Sequence, residues 1–275
     1  MAGSTTAGSA RDALGAAADA LNAAGVEDPR LDAELLLSEA SGWDRARLAV
    51  SPEAGVSAAA ARRFGEMVRR RLRREPVAYI LGRKGFREIE LMVDRRVLIP
   101  RPETELLVEL AVELRPQSIL DVGTGSGAIA LAIAGEMLEC EVTATDTSVA
   151  ALEVARANAQ RLGRSGRVRF LQSSIPDGDS FDLTVANLPY VAELDWPSLQ
   201  PEVTQWEPRE ALLAGPDGLD AIRDLIPRVR EGTLALEVGE GQVEPVGELL
   251  HGAGFGSIQT RRDLAGIERV VWGKR

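Results

Sequence analysis

The stretch SILDVGTGSGAIALAIAGEML, residues 118–138, joins a strand pattern to a helical one through three glycines. Ser118–Val122 reads as a strand and Ala128–Leu138 as a helix. Between them Gly123, Gly125 and Gly127 alternate with Thr124 and Ser126. Glycine at those points lets the backbone turn tightly at the strand's carboxyl end and lets a ligand lie against main-chain N–H groups. A second strand, Glu141–Asp146, ends in an aspartate 19 residues after Gly127. A carboxylate there can accept hydrogen bonds from both hydroxyls of a ribose. The combination implies a nucleoside-binding edge on a Rossmann-like α/β domain.

Outward from that edge, strands and helices alternate. Val149–Leu162 reads as a helix; Arg167–Leu171, Phe181–Ala186 and Thr233–Val238 read as strands, and Ser257–Thr260 with Arg269–Trp272 as a terminal hairpin. Such alternation implies a mainly parallel sheet covered by helices on both faces. Upstream the pattern is helical throughout. Arg11–Ala24 is rich in Ala and Leu, Asp28-Pro29 opens a second helix that Gly42 ends, and Ser57 caps a third, Ala58–Arg74, stopped by Glu75-Pro76. Alternation at Ile89, Leu91 and Val93, then Val97-Leu98-Ile99, suggests a β-hairpin between the two parts. The expected organisation is a helical domain over 1–75, a hairpin linker over 76–100 and a ligand-binding α/β domain over 101–275.

The 275 residues are 45% hydrophobic and 27% charged, ordinary for a globular protein. A net charge of -10 argues against stable binding to nucleic acid, which needs a basic surface. Residues 1–80 contain 11 Arg and 11 Asp plus Glu, so the whole excess of negative charge lies in the remainder. The third helix concentrates Arg62, Arg63, Arg69, Arg70, Arg71, Arg73 and Arg74. That density fits either a solvated face or a docking surface for an acidic or RNA-like partner. A lone Cys140 implies a reducing compartment. With no signal-peptide pattern at the N-terminus and no run of about 18 apolar residues, a cytoplasmic protein without a membrane contact is expected. No metal is expected.

The stretch VANLPYV, residues 185–191, stands where the fourth strand ends, on the carboxyl edge that carries the glycine loop. Asn and Pro alone would make a turn. The order amide, rigid backbone, aromatic ring also suits a chemical task. A planar amide or aromatic amine nitrogen is a poor nucleophile because its lone pair is delocalised. The Asn187 side-chain oxygen and the Leu188 carbonyl can each accept one of its N–H groups. Tyr190 can stack on the acceptor, and Pro189 fixes the backbone between them. Positioning and fixed dipoles would then do most of the catalysis, with no histidine base. Gly123-x-Gly125-x-x-Ala128 also satisfies the dinucleotide fingerprint. The single histidine, His251, and the acidic Asp121 before the loop point elsewhere, since Asp121 can take the ammonium of an amino-acid tail. S-adenosyl-L-methionine has such a tail, so a methyltransferase is favoured over a dehydrogenase.

These features resemble the HemK/PrmC family, the N5-glutamine methyltransferases of peptide chain release factors. The resemblance runs from about Leu31 to Trp272. It is carried by PVAYILG (76–82), VLIPRPETE (97–105), Asp121 to Ala134, Asn187 to Tyr190, Glu207-Pro208 and GPDGL (215–219), with IPRPETE the most specific. The resemblance implies a seven-stranded class I methyltransferase domain and a small helical domain that helps hold the substrate. The implied acceptor is the glutamine of the Gly-Gly-Gln motif of class 1 release factors, so the activity serves translation termination. By position, Asp121, Gly123 to Gly127, Asp146, Ser174, Ile175 and Asn187 would bind S-adenosylmethionine. Asn187, Leu188, Pro189 and Tyr190 would hold the glutamine and catalyse. Arg101, Pro102, Glu103 and Thr104 would cover the cofactor, with Phe86 close by. Two positions depart from the family pattern. Leu188 replaces a proline, keeping the carbonyl but losing the fixed φ and adding an N–H. Ser174 replaces a carboxylate expected near the adenine amine, which lowers the expected cofactor affinity, while Ile175 can still cover the adenine.

Overall fold

The computed structural model describes residues 6–175 and 180–275. The chain divides into two compact units, one running to Gly82 and including Pro201–Trp206, the other formed by Arg83–Gln200 and Glu207–Arg275.

In the first unit, helices Ala10–Ala23, Pro29–Ser41 and Ala58–Leu72 surround a core of Leu14, Leu21, Leu36, Leu37, Leu48 and Phe64. Ser9 and Ser57 cap the first and third, each accepting a backbone N–H three residues on, and Gly42 ends the second in the left-handed conformation. The uniformly helical expectation needs correction. Short strands β1 (Thr6–Ser9) and β2 (Gly55–Ser57) pair antiparallel, and Arg45–Val50 and Val77–Leu81 add short helices. These pieces are too short to produce a readable period.

Both readings of the third helix's arginines also need correction for part of the set. Arg71 is buried and pairs at 2.6 Å with both Asp32 and Glu202, and Arg74 reaches Glu202 at 2.6 Å. Arg70 bonds Glu75 at 2.6 Å. Burial raises the Asp32 carboxyl above its ordinary range despite Arg71. In Glu202 the same burial is outweighed by hydrogen bonds from Arg74 and Arg71. Three of the seven arginines therefore hold the unit together; Arg62, Arg63, Arg69 and Arg73 remain exposed.

In the second unit, β3 (Arg83–Phe86) and β4 (Ile89–Met92) form the hairpin, and Phe86, Ile89 and Leu91 enter that unit's core. Residues 97–99 are not a strand. Five parallel strands follow: β5 (Ser118–Val122), β6 (Glu141–Asp146), β7 (Val168–Gln172), β8 (Leu183–Ala186) and β9 (Thr233–Glu237). With β10 (Gly256–Arg262) and β11 (Glu268–Lys274) they make a sheet in the order β10-β11-β9-β8-β5-β6-β7, in which β11 is antiparallel to both neighbours. Successive residues feed opposite cores: Ile119, Val185, Ala235 and Val270 join one cluster, Leu120, Ala186, Leu236 and Val271 the other.

Register is what assembles the site. Val122 lies opposite Thr145 on one side and Ala186 on the other. The next residues, Gly123, Asp146 and Asn187, therefore leave the sheet together at its carboxyl edge, the binding edge of open α/β sheets.

Candidate active site

The glycine loop turns over the end of β6. Gly123 and Thr124 both donate their N–H to the Thr145 carbonyl at 2.9 Å. Gly127 has φ 84°, and a Cβ there would come within 2.9 Å of Leu131 Cδ1 and 3.3 Å of Ala155 Cβ. Only glycine fits that joint. Asp146 accepts the Gly125 N–H at 2.9 Å and the Ser148 N–H at 2.8 Å, so one carboxylate ties the loop to the start of helix Val149–Arg161. Asn158, fully buried on that helix, donates to the Ser126 and Met92 carbonyls and accepts the Met92 N–H, joining the loop to the hairpin.

A cavity of about 230 Å³ opens at this edge. Its walls include Gly123 and Gly125 of the loop, Asp146 to Ser148, Ser173 and Ser174, and Asn187, Leu188 and Pro189. Arg96, Val97 and Leu98 close one side, and Pro208, Glu210 and Ala211 another. The glycine loop and the Asn-Leu-Pro edge touch, since a Cβ on Gly123 would sit 3.3 Å from Leu188 Cδ2.

Several residues read from the sequence lie behind this wall rather than on it. Asp121 is 0% exposed; its Oδ2 accepts the Thr124 hydroxyl at 2.6 Å and the Ala130 N–H at 3.2 Å, while Oδ1 has no hydrogen-bond partner among the described residues. Burial pushes its carboxyl up to about 7, the nearby Asp146 charge adding to this. A direct ammonium contact requires an accessible carboxylate, and this one is sealed, so it braces the loop. Thr124, Ser126 and Gly127 likewise shape the loop without lining the cavity. Ser174 is on the wall, accepting from Arg228 at 2.8 Å, but Ile175 packs against the core cluster of Leu120, Ala186 and Leu236 and does not line the cavity. Phe86 is a core residue, 2% exposed.

Tyr190 also stands off the wall. Gly239 leaves room for its ring, Cδ2 lying 3.3 Å from where a Cβ would be, and Gln242 donates to its carbonyl at 3.0 Å. Burial, then the charge of Glu237, pushes the phenol up to about 12, so it is neutral. The covering segment approaches the wall through residues 96–98; Arg101, Pro102, Glu103 and Thr104 are set behind it. Glu207 holds this segment, accepting the Ile99 N–H at 3.0 Å and the Arg101 guanidinium at 2.6 Å. Thr104 accepts the Asn187 side-chain N–H at 2.9 Å. Glu237, Asn158 and the wall residues Thr147 and Ser148 carried no motif of their own and were invisible to pattern reading. Glu207 was visible only as part of Glu207-Pro208.

The lining fits an adenosyl group. Glycine backbone without side chains lies at the loop, a carboxylate at the end of β6, and an apolar rim of Val97, Leu98 and Leu188 around them. Among the described residues no helix is long and apolar enough to cross a membrane.

Comparison with known proteins gives a consistent result. A family model described as the PrmC N-terminal domain matches residues 12–82, and one described as a methyltransferase domain matches residues 115–217. A release factor glutamine methyltransferase of Caulobacter vibrioides is 41% identical over 270 residues, covering 94% of this chain and 93% of that one. One of Moorella thermoacetica is 43% identical over 272 residues, covering 94% and 96%. Among solved structures, the hMettl16 catalytic domain, determined with a 3′UTR hairpin, matches with a TM-score of 0.54 at 16% identity over 67% of this chain and 75% of that chain. At that identity the likeness concerns the fold alone.

Proposed function

Because this chain belongs to the family of release factor glutamine methyltransferases, we propose that it methylates the side-chain amide nitrogen of the glutamine in the Gly-Gly-Gln motif of class 1 peptide chain release factors. The methyl donor is S-adenosyl-L-methionine, and the setting is translation termination in the cytoplasm. The observation that carries this reading is the junction of the glycine loop with the Asn187–Pro189 edge in one cavity.

In this reading Asp146 accepts the ribose hydroxyls, the side-chain-free backbone at Gly123 and Gly125 lies along the donor, and Ser174 lies at the adenine end. Bound there, the donor supplies an electrophilic methyl carbon on a sulfonium. The chain's own residues handle the nucleophile. Asn187 Oδ1 and the Leu188 carbonyl accept the two amide N–H groups of the glutamine and aim its nitrogen. As the amide loses resonance the N–H groups grow more acidic, and both acceptors bind them more strongly, which is where the rate gain arises. Leu188 keeps the main-chain carbonyl that this role needs. Tyr190 supports this edge from behind rather than stacking on the acceptor. The helical unit recognises the release factor, and its exposed arginines face an acidic partner surface.

The test is transfer of label from S-adenosylmethionine to purified release factor, to RNA and to ribosomal subunits in separate reactions. Label on the release factor, lost when its glutamine is replaced, is the expected result. Label on RNA alone would refute the assignment.

A further inference from the structure

Asn187 has one productive orientation for the role proposed above. Its amide oxygen and nitrogen have nearly the same shape, so a freely turning side chain would offer a donor to the substrate as readily as an acceptor. The structure supplies a choice. Asn187 Nδ2 donates to the Thr104 hydroxyl at 2.9 Å. A hydroxyl carries a single proton, and with its oxygen accepting from Asn187 that of Thr104 is free for the buried Glu237 carboxyl, whose pKa a Thr104 hydrogen bond lowers. While Glu237 is ionised the bonds therefore run one way, from amide to hydroxyl to carboxylate. Asn187 Oδ1 is left with no hydrogen bond from any described residue. Thr104 is 4% exposed and Glu237 2%, and Glu237 Oε2 has no hydrogen-bond partner among the described residues. A sealed carboxyl with an unused oxygen is costly to keep in a core.

We infer that Thr104 and Glu237 are positioning residues that lock the Asn187 amide with its oxygen toward the cavity, so that the edge accepts an N–H-bearing side chain. This rests on the glutamine-methylation reading and adds to it a device for orienting the amide. The segment IPRPETE thus contributes to chemistry through Thr104, although Thr104 itself does not line the cavity. The direction of the chain depends on the charge of Glu237. If Glu237 holds a proton it can donate to Thr104, which then donates to Asn187 Oδ1 and leaves Nδ2 facing the cavity. Burial pushes the Glu237 carboxyl up to about 7, Glu103 adding to that effect and Arg269 and Arg101 opposing it. Tyr190 lies near the same carboxyl and stays neutral.

The experiment is nitrogen-15 NMR of the full chain without cofactor, following the Asn187 side-chain amide, whose signals are identified by their loss in Asn187→Ala. In the parent these signals should shift as pH passes through about 7, and Glu237→Gln should abolish that titration. Thr104→Val should move the signals toward those of a solvated amide, and Thr104→Ser should restore them. With release factor as substrate, Thr104→Val should lower kcat roughly tenfold with KM changed less than about twofold, and Thr104→Ser should recover most of the rate. Unaltered Asn187 signals in Thr104→Val, or parental kcat in that variant, would overturn the inference. If Thr104→Val does not fold, the titration in Glu237→Gln decides. A parent that methylates no release factor would refute the proposed function, while the NMR result would still judge the lock.

Discussion

At Asn187 the difference between a turn and a reactive edge comes down to which atom of one amide is left free. Asn187→Ala removes that acceptor, and kcat on release factor should fall about 10²-fold or more, as for loss of one preorganised polar partner. Asn187→Asp keeps an acceptor but has no N–H for Thr104 and places a negative charge beside a sulfonium. That charge favours the cationic ground state over the dispersed transition state. It should be slow as well, and calorimetric titration with S-adenosylhomocysteine should show retained cofactor binding for both variants. Asp146 is a different case because its two oxygens already hold Gly125 and Ser148. Asp146→Ala should weaken S-adenosylhomocysteine by roughly 2–4 kcal/mol and lower Tm, since the loop and the helix start lose their shared acceptor. Unchanged affinity would refute the ribose assignment.

Among the elements, helix Ala58–Leu72 and the turn after it carry two different kinds of arginine. Arg71, with 7% of its side chain exposed, neutralises Asp32 and Glu202. Arg71→Leu leaves the buried Glu202 and the half-buried Asp32 short of a partner and should destabilise the first unit by about 3–5 kcal/mol, visible in denaturant or thermal unfolding. Arg62, Arg69 and Arg73 follow helical spacing on an exposed face. Reversing these three to Glu should leave Tm nearly unchanged, raise KM for the intact release factor and make it less sensitive to salt. Activity on the factor that matches the parent would make that face merely solvated.

For the whole molecule, two buried acids link stability to pH. Asp121 and Glu237 are pushed up to about 7 by burial, from ordinary values of 3.8 and 4.5. Between those limits the folded chain holds protons that the unfolded chain has released, so folding is favoured at the lower pH. The contribution is fully present below the ordinary values and is lost as pH rises through about 7. Tm should therefore be higher near pH 6 than near pH 8, and Glu237→Gln should remove part of the difference in thermal scans. An undiminished difference in that variant would place the titration elsewhere.

Much of this was legible in the residues alone. The glycine loop, the aspartate ending β6 and the Asn-Leu-Pro-Tyr edge are local patterns, because strand period, turn chemistry and helix starts are imposed by neighbouring residues. The strand alternation likewise implies the parallel sheet, though not the order of its strands. What the sequence could not show is which side chains become sealed. Asp121 looks like a ligand contact by position, yet folding closes it beneath its own loop. Arg71 looks like surface charge, yet Asp32 lies 39 positions upstream and Glu202 131 downstream. Thr104, Asn187 and Glu237 meet only because β8 and β9 are neighbours and Glu207 holds the intervening segment. Burial and hydrogen-bond direction are properties of the assembled core, where distant segments exclude water together, so only the tertiary structure could decide them.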